Sequence, residues 1–308
     1  MSQSISLIPR PLAIAILVIS ATLFAGNHIA ARFAFDSGAG LLLAVLARGT
    51  MALCLMLLIA FMSKASFKIP KKMIKWQFLV GLLIAAQSLC LYSAITKIPV
   101  AVALLLVNTW PMMFILASWL MKKRAPNLKT FLMLLVILMG LVLVLDIDAI
   151  GATGGVSEDV VLGIILASLS ALFLTITMWL TQYQLAGVAG SVRSSYTMAV
   201  VVAVMCVMGL FGMLPGGLDV PQTQSGWFGL ISLAVLYAIA VTMMFVLAPR
   251  LDMASNSPIL NCEPVASLLL AYVFLGQYLN ATQLLGGVIV VVGIVAIGFH
   301  KEKGASNA

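Results

Sequence analysis

Apolar residues run along this chain in long blocks, broken at near-regular intervals by short polar stretches. Ten blocks can be read, at 11–34, 40–62, 73–96, 99–121, 129–146, 160–182, 192–213, 226–248, 256–275 and 281–299. A hydrocarbon core about 30 Å thick takes roughly 20 apolar residues of helix to cross. In lipid every backbone polar group needs a partner, so only helices and closed barrels span it. The blocks are unbroken, without the alternation of barrel strands. The pattern predicts ten transmembrane helices in an all-α integral membrane protein. The first block exceeds a signal-peptide core of about 7–15 residues and is read as a retained span.

Composition supports the same class. The 308 residues are 63% hydrophobic and 8% charged, with a mean hydropathy of +1.18. A soluble domain carries about 25% charged residues, and this chain has too few to cover a water-facing surface.

The charges orient the blocks. The turns after blocks two and four carry Lys64, Lys68, Lys71, Lys72 and Lys75, then Lys122, Lys123, Arg124 and Lys129. With Arg10, Arg193, Arg250, Lys301 and Lys303 this puts 14 of the 17 basic residues on one side, leaving Arg32, Arg48 and Lys97. Asp36, Asp146, Asp148, Glu158, Asp159 and Asp219 fall on the other. Short cytoplasmic loops collect Lys and Arg, so both termini are expected in the cytoplasm of a multi-pass protein of the plasma (inner) membrane. Topology and anionic lipid headgroups account for the net charge of +8, and no nucleic-acid partner is called for.

Several chemistries are absent. Cys54, Cys90, Cys206 and Cys262 all fall inside blocks without a CxxC pair and read as small apolar packers. Two histidines do not make a His-rich metal site. There is no GxxxxGK[ST] loop, GxSxG or HExxH, so neither ATP hydrolysis nor an intramembrane hydrolase is indicated. No metal and no cofactor is expected.

The two halves of the chain repeat. "NTWP" at Asn108–Pro111 aligns with "NCEP" at Asn261–Pro264 at an offset of 153 residues. That offset also pairs Lys97 with Arg250, Asn127 with Asn280 and Gly140 with Gly293. It shifts block four onto block nine, an odd number of spans, so the halves have opposite orientations. The repeats are read as 1–150 and 151–308. Inverted repeats of this kind build many secondary transporters, with the substrate held near the midplane between them.

The ten spans, the 5+5 arrangement and "EPVASLLLAYVFLGQYLNATQLLGGVIVVVGIV" resemble the drug/metabolite transporter superfamily, EamA type. That family has a glutamate-proline near the start of its ninth span, matched here by Glu263-Pro264. It often has a second glutamate after the Leu-Gly that ends the span; this chain has Gln277 there and Arg124 at the paired place. The resemblance implies export of amino acids or other small metabolites.

Candidate site residues are the polar groups too deep to be interfacial. Glu263 lies eight residues beyond Ser255, a candidate cap of block nine, hence about 12 Å along the helix and close to the midplane. A charge there costs about 3 kcal/mol on insertion scales and must face the bundle or a wet cavity. The repeat sets Trp110 opposite Glu263. An indole and a carboxylate can hold an ammonium between them. Asn108 and Asn261 add amides. Asn27 and His28, Gln87 and Tyr92, Trp179 and Tyr183, and Tyr237 are further lining candidates. Glu263 and His28 are the candidates for proton coupling, and Pro111 and Pro264 for flexing. Three roles for Glu263 stay open: substrate recognition, proton carriage, or a structural pairing with a hydroxyl, Arg32 or Arg48. The first function read is a secondary transporter exporting amino acids or amine-bearing compounds. The alternatives are an uptake or exchange carrier of the same fold and, from other classes, a membrane-embedded enzyme or a non-transporting sensor.

Overall fold

The computed structural model describes residues 8–64, 66–121, 132–133, 135–136, 139–140, 142–143, 157–185, 187–214, 216–247, 262–276, 278 and 280–299. The long helices fall where the apolar blocks predict them. They are α1 (Arg10–Asp36), α2 (Leu41–Met62), α3 (Lys71–Ile95), α4 (Val100–Val107), α5 (Trp110–Leu120), α6 (Glu158–Tyr183), α7 (Gly190–Leu210), α8 (Gln224–Leu247), α9 (Glu263–Leu275) and α10 (Ala281–Phe299). Among the described residues six are long and apolar enough to cross a membrane: α1, α2, α3, α6, α7 and α8. Block five falls mostly outside the described residues. Those described there, such as Leu132 and Gly140, are helical.

The continuous helix expected over 99–121 is instead two helices, α4 and α5, with a break at Asn108–Thr109. Pro111 explains it. It has no N–H for the carbonyl of Val107 and crowds that turn. Thr109 N bonds back only three residues, to Leu106 O at 3.1 Å, and α-type bonding resumes with Met113 N to Thr109 O. The repeat partner behaves alike: α9 starts at Glu263 with Pro264 in its first turn. The candidate cap of block nine, Ser255, lies outside the described residues.

Packing joins helices from the two halves of the chain. α1 packs on α8 and α9, α2 on α7 and α8, and α3 on α6 and α7. Contacts between α1 and α2, or α2 and α3, are slight by comparison. Small residues permit this closeness. A Cβ on Gly229 of α8 would come within 2.7 Å of the Ala30 carbonyl of α1. One on Gly40, before α2, would come within 2.4 Å of the Gly217 carbonyl. Gly217 belongs to the turn "LPGGLDVP", which docks on the α1–α2 connection through Gly40 N to Asp219 O at 2.9 Å and Gln222 N to Ser37 O at 2.8 Å.

Polar residues at helix ends do local work. Ser157 caps α6 by accepting from Val160 N. Asn280 and Gln283 satisfy each other's backbone N–H groups at 3.2 and 2.8 Å, a reciprocal capping arrangement for α10. Trp119, Trp227 and Tyr272 are exposed, as an interfacial belt requires.

Candidate functional site

Six helices from both halves bring polar side chains together inside the bundle. Arg48, seven residues into α2 and about 10 Å along it, is 4% exposed. Its Nη1 donates to Tyr92 Oη of α3 at 2.9 Å, and its Nη2 donates to Ser88 Oγ one turn earlier on α3. Its guanidinium carbon lies 4.6 Å from the Tyr92 ring centroid and 4.2 Å from that of Tyr237 on α8. Tyr92 Oη in turn donates to Asn27 Oδ1 of α1 at 2.9 Å. Beside Ser88, Gln87 donates to Ser170 Oγ of α6 at 3.0 Å, and Ser170 returns its proton to the Gln87 carbonyl. A four-residue spacing puts Ser88 and Tyr92 on one face of α3; that is why one guanidinium reaches both.

The second part of the cluster is acid–base. His28 follows Asn27 on α1 and meets Tyr92 edge to face, with ring centroids 6.0 Å apart. Its Nε2 lies 3.6 Å from Glu263 Oε1. That is within ion-pair reach and beyond hydrogen-bond length. Its Nδ1 is buried without a partner among the described residues. The Glu263 side chain is 20% exposed and stands in the first turn of α9, where the helix dipole favours a carboxylate. Neither arginine pairing open to Glu263 from the sequence is formed among the described residues. Arg32 pairs with Asp36 at 2.9 Å. Arg48 makes no ion pair among the described residues.

The cluster thus gathers Asn27, His28, Gln87, Tyr92, Tyr237 and Glu263. Other candidates lie elsewhere. Asn108 is buried, but its amide is spent on the Leu104 carbonyl of its own helix at 2.8 Å. Trp110 is half-buried at the start of α5, its carbonyl accepting from Thr175 of α6 at 3.2 Å. The rings of Trp179 and Tyr183 meet at a tilt of 45° with centroids 5.1 Å apart, and Trp179 lies nine residues and about 13 Å along α6 from Ser170. Trp179 packs there against the Val80–Leu180–Leu185 cluster. Asn261 lies outside the described residues, as do the side chains of Pro111 and Pro264. Arg48, Ser88 and Ser170 are the members absent from the sequence candidates; Arg48 was named there only as a structural partner for Glu263. Ser88 carried a signal, since it precedes Tyr92 by one helical turn; Ser170 carried none.

Two stretches of the chain, residues 11–146 and 161–299, each match the EamA-like transporter family. The chain belongs to that family. It is a multi-pass membrane transporter with two EamA domains, and not an enzyme. The domains share the cluster: Asn27, His28, Arg48, Ser88 and Tyr92 come from the first, and Ser170, Tyr237 and Glu263 from the second. A solved structure titled only "Crystal structure of protein" is similar in fold, at 19% identity and a TM-score of 0.65 over 94% of this chain and 98% of that one. No curated protein matches the chain.

Proposed function

We propose that this EamA-like transporter exports amino acids or related amine-bearing compounds from the cytoplasm across the plasma (inner) membrane. It does so by alternating access between two inverted five-helix repeats, residues 1–150 and 151–308. In this reading the chain makes ten spans with both termini cytoplasmic. The two family matches and the 153-residue offset support the duplication. The basic loops support the orientation.

The observation that carries the reading is Glu263 beside His28 in a buried polar cluster shared by both EamA domains. A carboxylate in such a place pairs with an ammonium. Asn27, Gln87, Tyr92 and Tyr237 line the same site. Trp110, Asn108 and Asn261 complete it from the broken helices when the repeats move, with Pro111 and Pro264 as flex points. Freed carbonyls at such breaks are tolerated where they line a cavity. Trp179 and Tyr183 are aromatic lining further along the path. The His28–Glu263 contact also gives the site a place to carry a proton, so that a proton gradient can drive export.

The test is transport of an amino-acid panel by proteoliposomes, with wild type beside Glu263→Gln and with and without a pH gradient. Loss of transport under both conditions assigns Glu263 to binding. Exchange that persists but ignores the gradient makes it the proton carrier. Wild-type behaviour under both conditions overturns the assignment.

A further inference from the structure

We propose that Arg48 is the carboxylate-recognition residue of this site, so that its substrates are zwitterions held by Arg48 at one end and Glu263 at the other. The inference rests on the reading above, which supplies the ammonium end.

Arg48 is unusual in what surrounds it. It is 4% exposed within an apolar span, where a cation costs about 3 kcal/mol on insertion scales. Among the described residues its hydrogen-bond and ring partners are neutral: the hydroxyls of Tyr92 and Ser88 and the rings of Tyr92 and Tyr237. No acidic side chain among the described residues comes within ion-pair distance of it. A purely structural role is served better by an apolar side chain of the same volume, which avoids burying a charge altogether. A cation kept whole inside the bundle suits an anion that arrives from outside it.

The chemistry of the fork names the anion. A guanidinium presents parallel N–H groups that match a carboxylate with two bonds at once. Here Nη1 and Nη2 are aimed by Tyr92 and Ser88, and the rings of Tyr92 and Tyr237 hold the plane. Both present acceptors are neutral hydroxyls. A carboxylate is a stronger acceptor than either.

The opposite charge stands in the same cluster without neutralising it. Glu263 faces His28, His28 meets Tyr92, and Tyr92 meets Arg48. Glu263 and Arg48 do not pair with each other. A zwitterion brings a partner for each charge, and a molecule carrying either group alone leaves one unmatched. Unmatched buried charges are the strongest source of discrimination a site has.

The experiment measures binding to purified protein in nanodiscs by ligand-induced thermal shift. The probes are two matched sets: leucine, isopentylamine and 4-methylpentanoate, and phenylalanine, phenethylamine and 3-phenylpropionate. Wild type is expected to respond to an amino acid and not to its amine or acid at the same concentration. Arg48→Met should bind the amino acid about 10–100-fold more weakly, the loss of one charged hydrogen-bonding contact, and should no longer distinguish it from the amine. Arg48→Lys keeps the charge without the fork and should fall between; it also serves if Arg48→Met fails to fold. Amino-acid binding by either variant at the wild-type level overturns the proposal. Wild-type protein that binds the amines as well as the amino acids also overturns it, while leaving the ammonium site at Glu263 standing. Binding of none of the six compounds overturns both readings.

Discussion

Arg32 and Arg48 stand on neighbouring helices, both inside apolar spans, and the fold treats them in opposite ways. Arg32 lies one turn from the end of α1. It pairs with Asp36 at 2.9 Å and donates to the Ile95 carbonyl at 2.5 Å. Its side chain is 26% exposed and that of Asp36 54%, so water shares the cost of both charges. Arg48 is out of reach of water, where a counter-ion would itself need to be desolvated. Hydroxyls and ring faces take its place. The comparison shows a buried cation held in position by neutral groups, with no ion pair among the described residues; the proposed carboxylate contact depends on that.

The largest effect should come from Arg48→Met, which is expected to abolish amino-acid transport in proteoliposomes. Its melting temperature should hold or rise, because no partner charge is left behind. If Arg48→Met and Arg48→Lys both unfold and lose transport, Arg48 is structural and the contrast with Arg32 is erased. Next is Tyr92→Phe. It keeps the ring but strips the hydroxyl that accepts from Arg48 and donates to Asn27, leaving two buried polar groups short of a partner. Such losses cost about 1–3 kcal/mol, to be read as a lowered midpoint in denaturation. Ser88→Ala removes one of Arg48's two acceptors and a donor to the Ile84 carbonyl and should cost about 1 kcal/mol, with a partial loss of transport. Smallest is Asp36→Asn. An exposed pair contributes about 0.2–1 kcal/mol and is screened by salt, so transport should be unchanged and the double-mutant coupling with Arg32→Gln should shrink as salt is raised.

A second pair shows how far the repeat could be read. "NTWP" and "NCEP" announce the same backbone event, a helix that begins at the residue before a proline, and the structure has it in both places. The offset could not say what each start would face. Trp110 is held against α6, and Glu263 stands beside His28 of α1. The break at Asn108–Thr109 was foreshadowed by Pro111. Its exact turn depended on which backbone bonds could re-form around the missing N–H.

Apolar block length, charge placement and the prolines determined the helical membrane class, the ends of the six long helices to within a few residues and the candidates for burial. Asn27, His28, Gln87, Tyr92, Tyr237 and Glu263 were all legible as polar groups too deep for the interface. Their partners were not. Contacts such as Gln87 with Ser170, or His28 with Glu263, join residues 83 and 235 positions apart, and no local spacing reports on them. Only the tertiary structure decided that Arg48 meets neutral partners among the described residues while Glu263 faces a histidine. Depth can be counted along one helix from its own residues, but which side chain waits across the interface is set by how six helices pack at once.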